Sequence, residues 1–273
     1  ATAATRVDEN GLVNYAEIIG GEEVTNGDFS QEGAEKVTNG DFSVDSNWNQ
    51  VGSNGWSIDT GTSTLNFTSA SSYVFQGIST VSGKSYKVTL DIELDSGTIV
   101  AKSFSSQDVL TVTTTGRQTV IGYFKEIDSN ANFGFVASGS ASGKIHSVSV
   151  KEVGVDWVLG TGWTISGGKA IYTGTANSNL EQGSILNSGI NYILNYEVIS
   201  STLSGGIVKL SGETASAQNV LSQVAGTHSL IFTANGSSPE DFKIRIVVNT
   251  SGSYEITNVS VKEVTRDNVP RID

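Results

Sequence analysis

Ser147-Val148-Ser149-Val150-Lys151-Glu152-Val153 reads SVSVKEV, and Asn258-Val259-Ser260-Val261-Lys262-Glu263-Val264 reads NVSVKEV, 111 residues further on. In each phrase valines alternate with Ser or Lys, the period-two pattern of a strand with one buried face. The same strand at two distant points implies the end of a duplicated unit, and a repeat of this size decides the fold before any local reading does.

Working back from these strands, further landmarks repeat in order. Trp56-Ser57-Ile58 matches Trp163-Thr164-Ile165, Gln76-Gly77 matches Gln182-Gly183, and the strand from Tyr86 to Ile92 matches that from Tyr192 to Val198. The separations are 107, 106, 106 and finally 111 residues, so one small insertion in the second copy accounts for the drift. A shorter echo, VTNGDFS, stands at 24–30 and again at 37–43. Trp48 follows the second copy closely, so that copy is expected to open the first domain and the first to be a spare strand or stacked turn.

The composition agrees. There are 31 Gly and 2 Pro in 273 residues, with much Ser, Thr, Asn and Val, which is the chemistry of short strands and tight turns rather than helices. Strands at this density predict an all-β chain of two tandem antiparallel β-sandwich domains with jelly-roll character. The expected boundaries are 1–22 for an N-terminal connecting segment, 23–153 and 154–264 for the two domains, and 265–273 for a C-terminal connector. Expected strands in the second domain include 207–210, 228–233 and 242–248.

A net charge of −12 disfavours nucleic acid, whose phosphates demand a basic surface, and adsorption to anionic lipid. No apolar run reaches the roughly 18 residues that a membrane helix needs. Without Cys there is no disulfide, thiolate zinc site or cysteine nucleophile. Without Met at the start, the chain reads as a fragment or processed form. His146 and His228 suggest no nucleophilic triad. Asp91 and Glu93 share a strand face at a spacing that could suit glycoside hydrolysis, but Glu93 aligns with Ile199 and nothing else implies a cleft. The chain is therefore expected to be non-catalytic.

TNGDFS…NW…GWSI, GKSYKVTLDIE and SVSVKEV together resemble the galactose-binding-like jelly-roll domains related to carbohydrate-binding modules of the CBM4/9 type. DWVLGTGWTISGGKAIYTGT…NVSVKEV is similar in the second unit. The resemblance implies a polysaccharide or cell-surface glycan as partner, held on aromatic faces. Trp48, Tyr73, Tyr123, Trp157 and Tyr172 are the candidate carbohydrate-binding residues, while Trp56 and Trp163 read as core plugs. It also implies a structural calcium near the first strand, for which Asp41 is the candidate ligand and Asp28 a turn residue. Related closing strands carry an Asp ahead of the NVSV phrase, where this chain has His146 and Thr257.

The flanks carry a second resemblance. ATRVDENGL at 4–12 and NVPRID at 268–273 look like a segment of tailed-bacteriophage virion proteins in which the two pieces lie close together. That implies a location on a virion surface or outside the cell, with other copies of the chain or other virion proteins as partners. Spacer or assembly domains, or an accessory module of a secreted bacterial polysaccharide-active protein, are the alternative readings.

Overall fold

The computed structural model describes residues 4–7, 13–51, 55–105, 107–129, 131–210, 219–236, 238–247 and 251–267. The flanking pieces 8–12 and 268–273, and Val248 of the expected 242–248 strand, lie outside these. Among the described residues there is no α-helix, and the all-β expectation holds.

The strands are β1 (Ala4–Val7), β2 (Val13–Glu22), β3 (Glu32–Glu35), β4 (Asn49–Val51), β5 (Trp56–Asp59), β6 (Thr64–Ala70) and β7 (Tyr73–Gly77). They continue with β8 (Ser85–Ser103), β9 (Gln107–Val112), β10 (Gly116–Lys125), β11 (Asn132–Val153), β12 (Val158–Leu159), β13 (Trp163–Ser166) and β14 (Lys169–Gly174). The last are β15 (Ser178–Leu186), β16 (Asn191–Ser201), β17 (Ile207–Leu210), β18 (Gly226–Thr233), β19 (Glu240–Val247) and β20 (Gly252–Asp267).

Two compact units result, and their boundary differs from the expected one. Residues 32–155, with 164–166 counted to them, form one unit; the described residues up to 31, with 156–163 and those from 167 on, form the other. The domains are therefore nested rather than strictly consecutive. The first is inserted into the second after Gln31, and we refer to them as the inserted unit and the split unit.

In the inserted unit two long strands serve both layers of the sandwich. The first half of β8 pairs with β10 and with the second half of β11. Its second half pairs with β9 and with the first half of β11, which in turn pairs with β7. Register shifts between Ser138 and Gly143, opposite Gly97 at φ +79°, mark the corner. The buried residues of β8 change phase there, from Leu90, Ile92 and Leu94 to Ile99 and Ala101, because a one-residue bulge turns the strand over. Both halves feed one core, with Trp56, Phe67, Tyr86 and Phe133.

In the split unit the two sheets are separate. One runs β1-β2-β20-β14, with β16 beside β20 and β18 beside β16; the other runs β12-β15-β19-β17. Trp157, Trp163, Tyr172, Tyr192, Tyr254 and Phe242 are fully buried in this unit.

The two VTNGDFS copies show why the boundary moved. In the inserted unit the Gln76 side chain clamps Thr38, accepting from its N–H at 2.9 Å and donating to its C=O at 3.0 Å. In the split unit Gln182 does the same to Thr25, at 3.1 and 2.5 Å. The indole of Trp48 donates to Asn39 O at 3.1 Å and that of Trp157 to Asn26 O at 3.0 Å. Gly40 and Gly27 lie against the closing strands so tightly that a Cβ would run into the carbonyl oxygens of Val148 and Val259. Each copy thus opens one unit, and residues 23–31 belong with the second. The copy at 24–30 is not spare.

A glutamate two residues before each copy completes the arrangement. Glu35 accepts from Val150 N–H at 2.8 Å and the Ser149 hydroxyl at 2.6 Å. Glu22 accepts from Val261 N–H and the Ser260 hydroxyl, both at 2.6 Å. These charge-assisted bonds tie the opening segment to the SVSV strand whose repetition revealed the units.

Candidate functional site

Nearly all aromatic side chains whose surroundings are described are buried. The exceptions are Tyr73, Phe75, Phe104 and Tyr123, and three of these four form one cluster. Ring centroids lie 5.4 Å apart for Tyr73 and Phe104, 5.9 Å for Phe75 and Phe104, and 6.0 Å for Tyr73 and Phe75. Strand alternation explains the grouping. Val74 and Gln76 of β7 point into the core and are buried, so Tyr73 and Phe75 share the outer face.

The neighbouring strands leave this face apolar and open. Across from Tyr73 lie Val136 on β11 and, beyond it, Val100 on β8, both half-buried. Across from Phe75 lies Gly134, which contributes no side chain, and beyond it Lys102. On the other side Val51 and Asn49 of β4 pair with Tyr73 and Phe75. Lys102 is held by Asp108 at 2.8 Å. The result is a row of ring faces with amide and ammonium groups at the rim.

The other candidates are placed differently. Trp48 is 8% exposed, stacked 5.7 Å from Phe135 and tilted against Phe42 at 5.6 Å. Trp157 is 0% exposed, 5.1 Å from Phe29. Both indoles plug the opening motif, so neither is a platform. Tyr172 is likewise 0% exposed; its hydroxyl donates to Ala176 O and its ring meets Trp163 edge-on at 5.6 Å. Burial pushes its phenol pKa up. Those three expectations are corrected: an aromatic sealed in a core offers no face to a sugar. Tyr123 is half-exposed on β10 opposite Lys87, away from the cluster. Trp56 and Trp163 are buried.

Asp41 accepts from the Ser43 hydroxyl at 3.0 Å and its N–H at 3.3 Å. Asp28 does the same with Ser30, whose hydroxyl holds the Asp28 carboxyl below its ordinary value. Among the described residues no three His, Asp or Glu side chains converge. Asp41 brings one carboxylate already engaged in a turn, which does not fit the six to eight oxygen ligands of calcium.

Asp91 receives a two-pronged contact from Arg117, at 2.8 and 3.1 Å, which holds its carboxyl down. Glu93 pairs with His146 at 3.3 Å, where β11 slips register between Ile145 and Ser147. Asp91, kept ionised by Arg117, is unsuited to donating a proton. His228 contacts Val224 O at 2.7 Å through Nε2, and its ring lies 5.4 Å from that of Tyr196.

No family model and no curated protein matches the chain. Among solved structures it is similar to the tandem CBM22-1–CBM22-2 domain of Paenibacillus barcinonensis Xyn10C, at 6% identity over 85% of this chain and 98% of that one, with a TM-score of 0.34. It is also similar to a CBM4 structure, at 16% identity over 39% and 86%, TM-score 0.28. A third is the tandem CBM51 pair of Sp3GH98, a family 98 glycoside hydrolase from Streptococcus pneumoniae, at 7% identity over 73% and 83%, TM-score 0.24. At these scores the likenesses say nothing of what the chain binds.

Proposed function

We propose that the chain is a non-catalytic carbohydrate-binding module, and that the outer face of β7 in the inserted unit is where it meets polysaccharide. The cluster of Tyr73, Phe75 and Phe104 carries the reading. Leaving three aromatic rings together only half-buried forgoes hydrophobic free energy that full burial would have recovered, and contiguous apolar patches at a surface mark binding sites. Sugar rings present C–H groups that sit on π faces, while rim groups such as Asn49 and Lys102 suit hydroxyls.

We place the module on a phage particle, outside the cell. The flank resemblance supports this. So does the pairing, within one sheet, of the described strands next to those flanks: β1 pairs with β2, and Tyr15 to Ile18 of β2 pair with Val264 to Asp267 of β20. The modules thus leave and rejoin the chain at one place, as an insertion into a larger virion protein would. Many copies on a particle would turn weak sites into avid ones.

A glycan array probed with the intact chain tests the reading. Binding that disappears in the Tyr73→Ala/Phe75→Ala double variant, with an unchanged circular dichroism spectrum, supports it. Absence of glycan binding, with self-association in light scattering that the same double variant removes, favours an assembly role for this apolar face.

A further inference from the structure

The split unit carries the equivalent face, and its chemistry is different. The matched residues Gln76 and Gln182, which make the same clamp, fix the correspondence. Tyr73 corresponds to Asn179 and Phe75 to Glu181. Cross-strand pairing then carries Val136 to Arg245 and Val100 to Lys209. Where the inserted unit has a Tyr–Val–Val row, the split unit has Asn179–Arg245–Lys209.

Those three side chains share one face of the sheet. Leu180, Val208, Leu210, Ile244 and Ile246 on the same strands are buried, so their half-exposed neighbours Asn179, Lys209 and Arg245 point the other way. In the next row Lys243 is neutralised by Asp241 at 2.9 Å and Glu181 at 3.7 Å. Lys209 and Arg245 have no carboxylate within salt-bridge reach among the described residues, and the Arg245 Nε is buried without a hydrogen-bond partner. In a chain of net charge −12, two cations stand directly opposite each other on paired strands. Such a pair is destabilising unless a negative charge lies between them.

We infer that Lys209 and Arg245, with the Asn179 amide beside them, form a site for an oxyanion, specifically the carboxylate or sulfate substituent of an acidic polysaccharide. Arg245 offers a planar fork and Lys209 a point charge to the same group. That the anion belongs to a saccharide rests on the function proposed above; the anion site does not.

The test is calorimetric titration of the intact chain with four probes: an oligouronate, a sulfated oligosaccharide, a neutral oligosaccharide of equal length, and sodium sulfate. One or both acidic oligosaccharides should bind, with an affinity that falls as salt rises. Arg245→Gln and Lys209→Gln should each weaken that binding about tenfold. Lys209→Gln, at a half-exposed position, should keep the fold and melt no lower than the parent without ligand. Sulfate binding as tightly as the oligosaccharides would overturn the saccharide assignment but keep the anion site. No binding by any anion, or binding equal in the parent and both variants, would overturn the site itself. A failed anion site leaves the β7 face untouched, since that face is read with the neutral probe.

Discussion

Two sheet faces built on the same strand plan carry opposite chemistries. On the inserted unit the face shows Tyr73, Phe75, Val100 and Val136; on the split unit the same places hold Asn179, Glu181, Lys209 and Arg245. Beneath both, the opening motif, the glutamine clamp and the closing strand repeat almost bond for bond. The difference teaches where each kind of constraint lies. Inward residues and clamps are held by packing and hydrogen bonds that tolerate little change. Outward residues of the same strands are free to take on separate ligands.

The largest expected effect separates a buried indole from a half-buried phenol. Trp157→Ala should cost about 3–5 kcal/mol of stability, because it empties the plug between Phe29 and Phe242. Tyr73→Ala should cost no more than about 1 kcal/mol. Chemical denaturation of the two variants checks this, and similar losses in both would break the distinction between core and platform. Next in size, Tyr73→Ala/Phe75→Ala should weaken neutral-glycan binding by about 2 kcal/mol or more, whereas Asn179→Ala/Glu181→Ala should leave it unchanged. Calorimetry with the neutral oligosaccharide measures both.

A smaller effect tests how alike the units are below their surfaces. Glu22→Gln and Glu35→Gln each weaken a pair of charge-assisted bonds and should each cost about 1 kcal/mol, with the two losses nearly equal. A large inequality in denaturant melts would show that the repeated clamps are not equivalent.

The smallest effect is acid sensitivity. Glu32 is held below its ordinary value of 4.5, first by the Lys87 hydrogen bond. Asp241 is held below 3.8 by the Lys243 hydrogen bond and then by Ser184 N–H. Each is depressed in the folded state, so its contribution is full above those ordinary values and is lost as pH falls through the lower folded ones. Both groups are largely solvated, so the loss is small and shrinks with added salt. Melting temperatures followed from neutral pH down to below pH 4 should show a shallow decline in this window in both units. A rise there would contradict the ion-pair assignment.

Much of the fold was legible because alternation is local. The SVSVKEV strands, Gln76 and Gln182, and the Tyr86 and Tyr192 strands all fell where the repeat put them. The nesting was not legible, since Glu22 meets Val261 across more than two hundred residues and no local pattern records that. The shared glutamate ahead of each VTNGDFS was a usable signal: Gly20-x-Glu22 and Gly33-x-Glu35 extend the echo upstream. The site was half legible. Tyr73 follows from the family resemblance, but Phe75 and Phe104 do not, because apolar residues in strands read as core. Trp48 and Trp157 looked open because sequence does not show which phenylalanine covers which indole. The cationic pair was invisible, since Lys209 and Arg245 meet only through strand register.

The most direct measurement is a nuclear magnetic resonance titration of the intact chain, with labelled Tyr, Phe and Trp rings, against a neutral oligosaccharide that the array identifies. Shifts confined to Tyr73, Phe75 and Phe104, with the Trp48 and Trp157 indoles unmoved, are the predicted result. Saturable binding that leaves those three rings unshifted would contradict it.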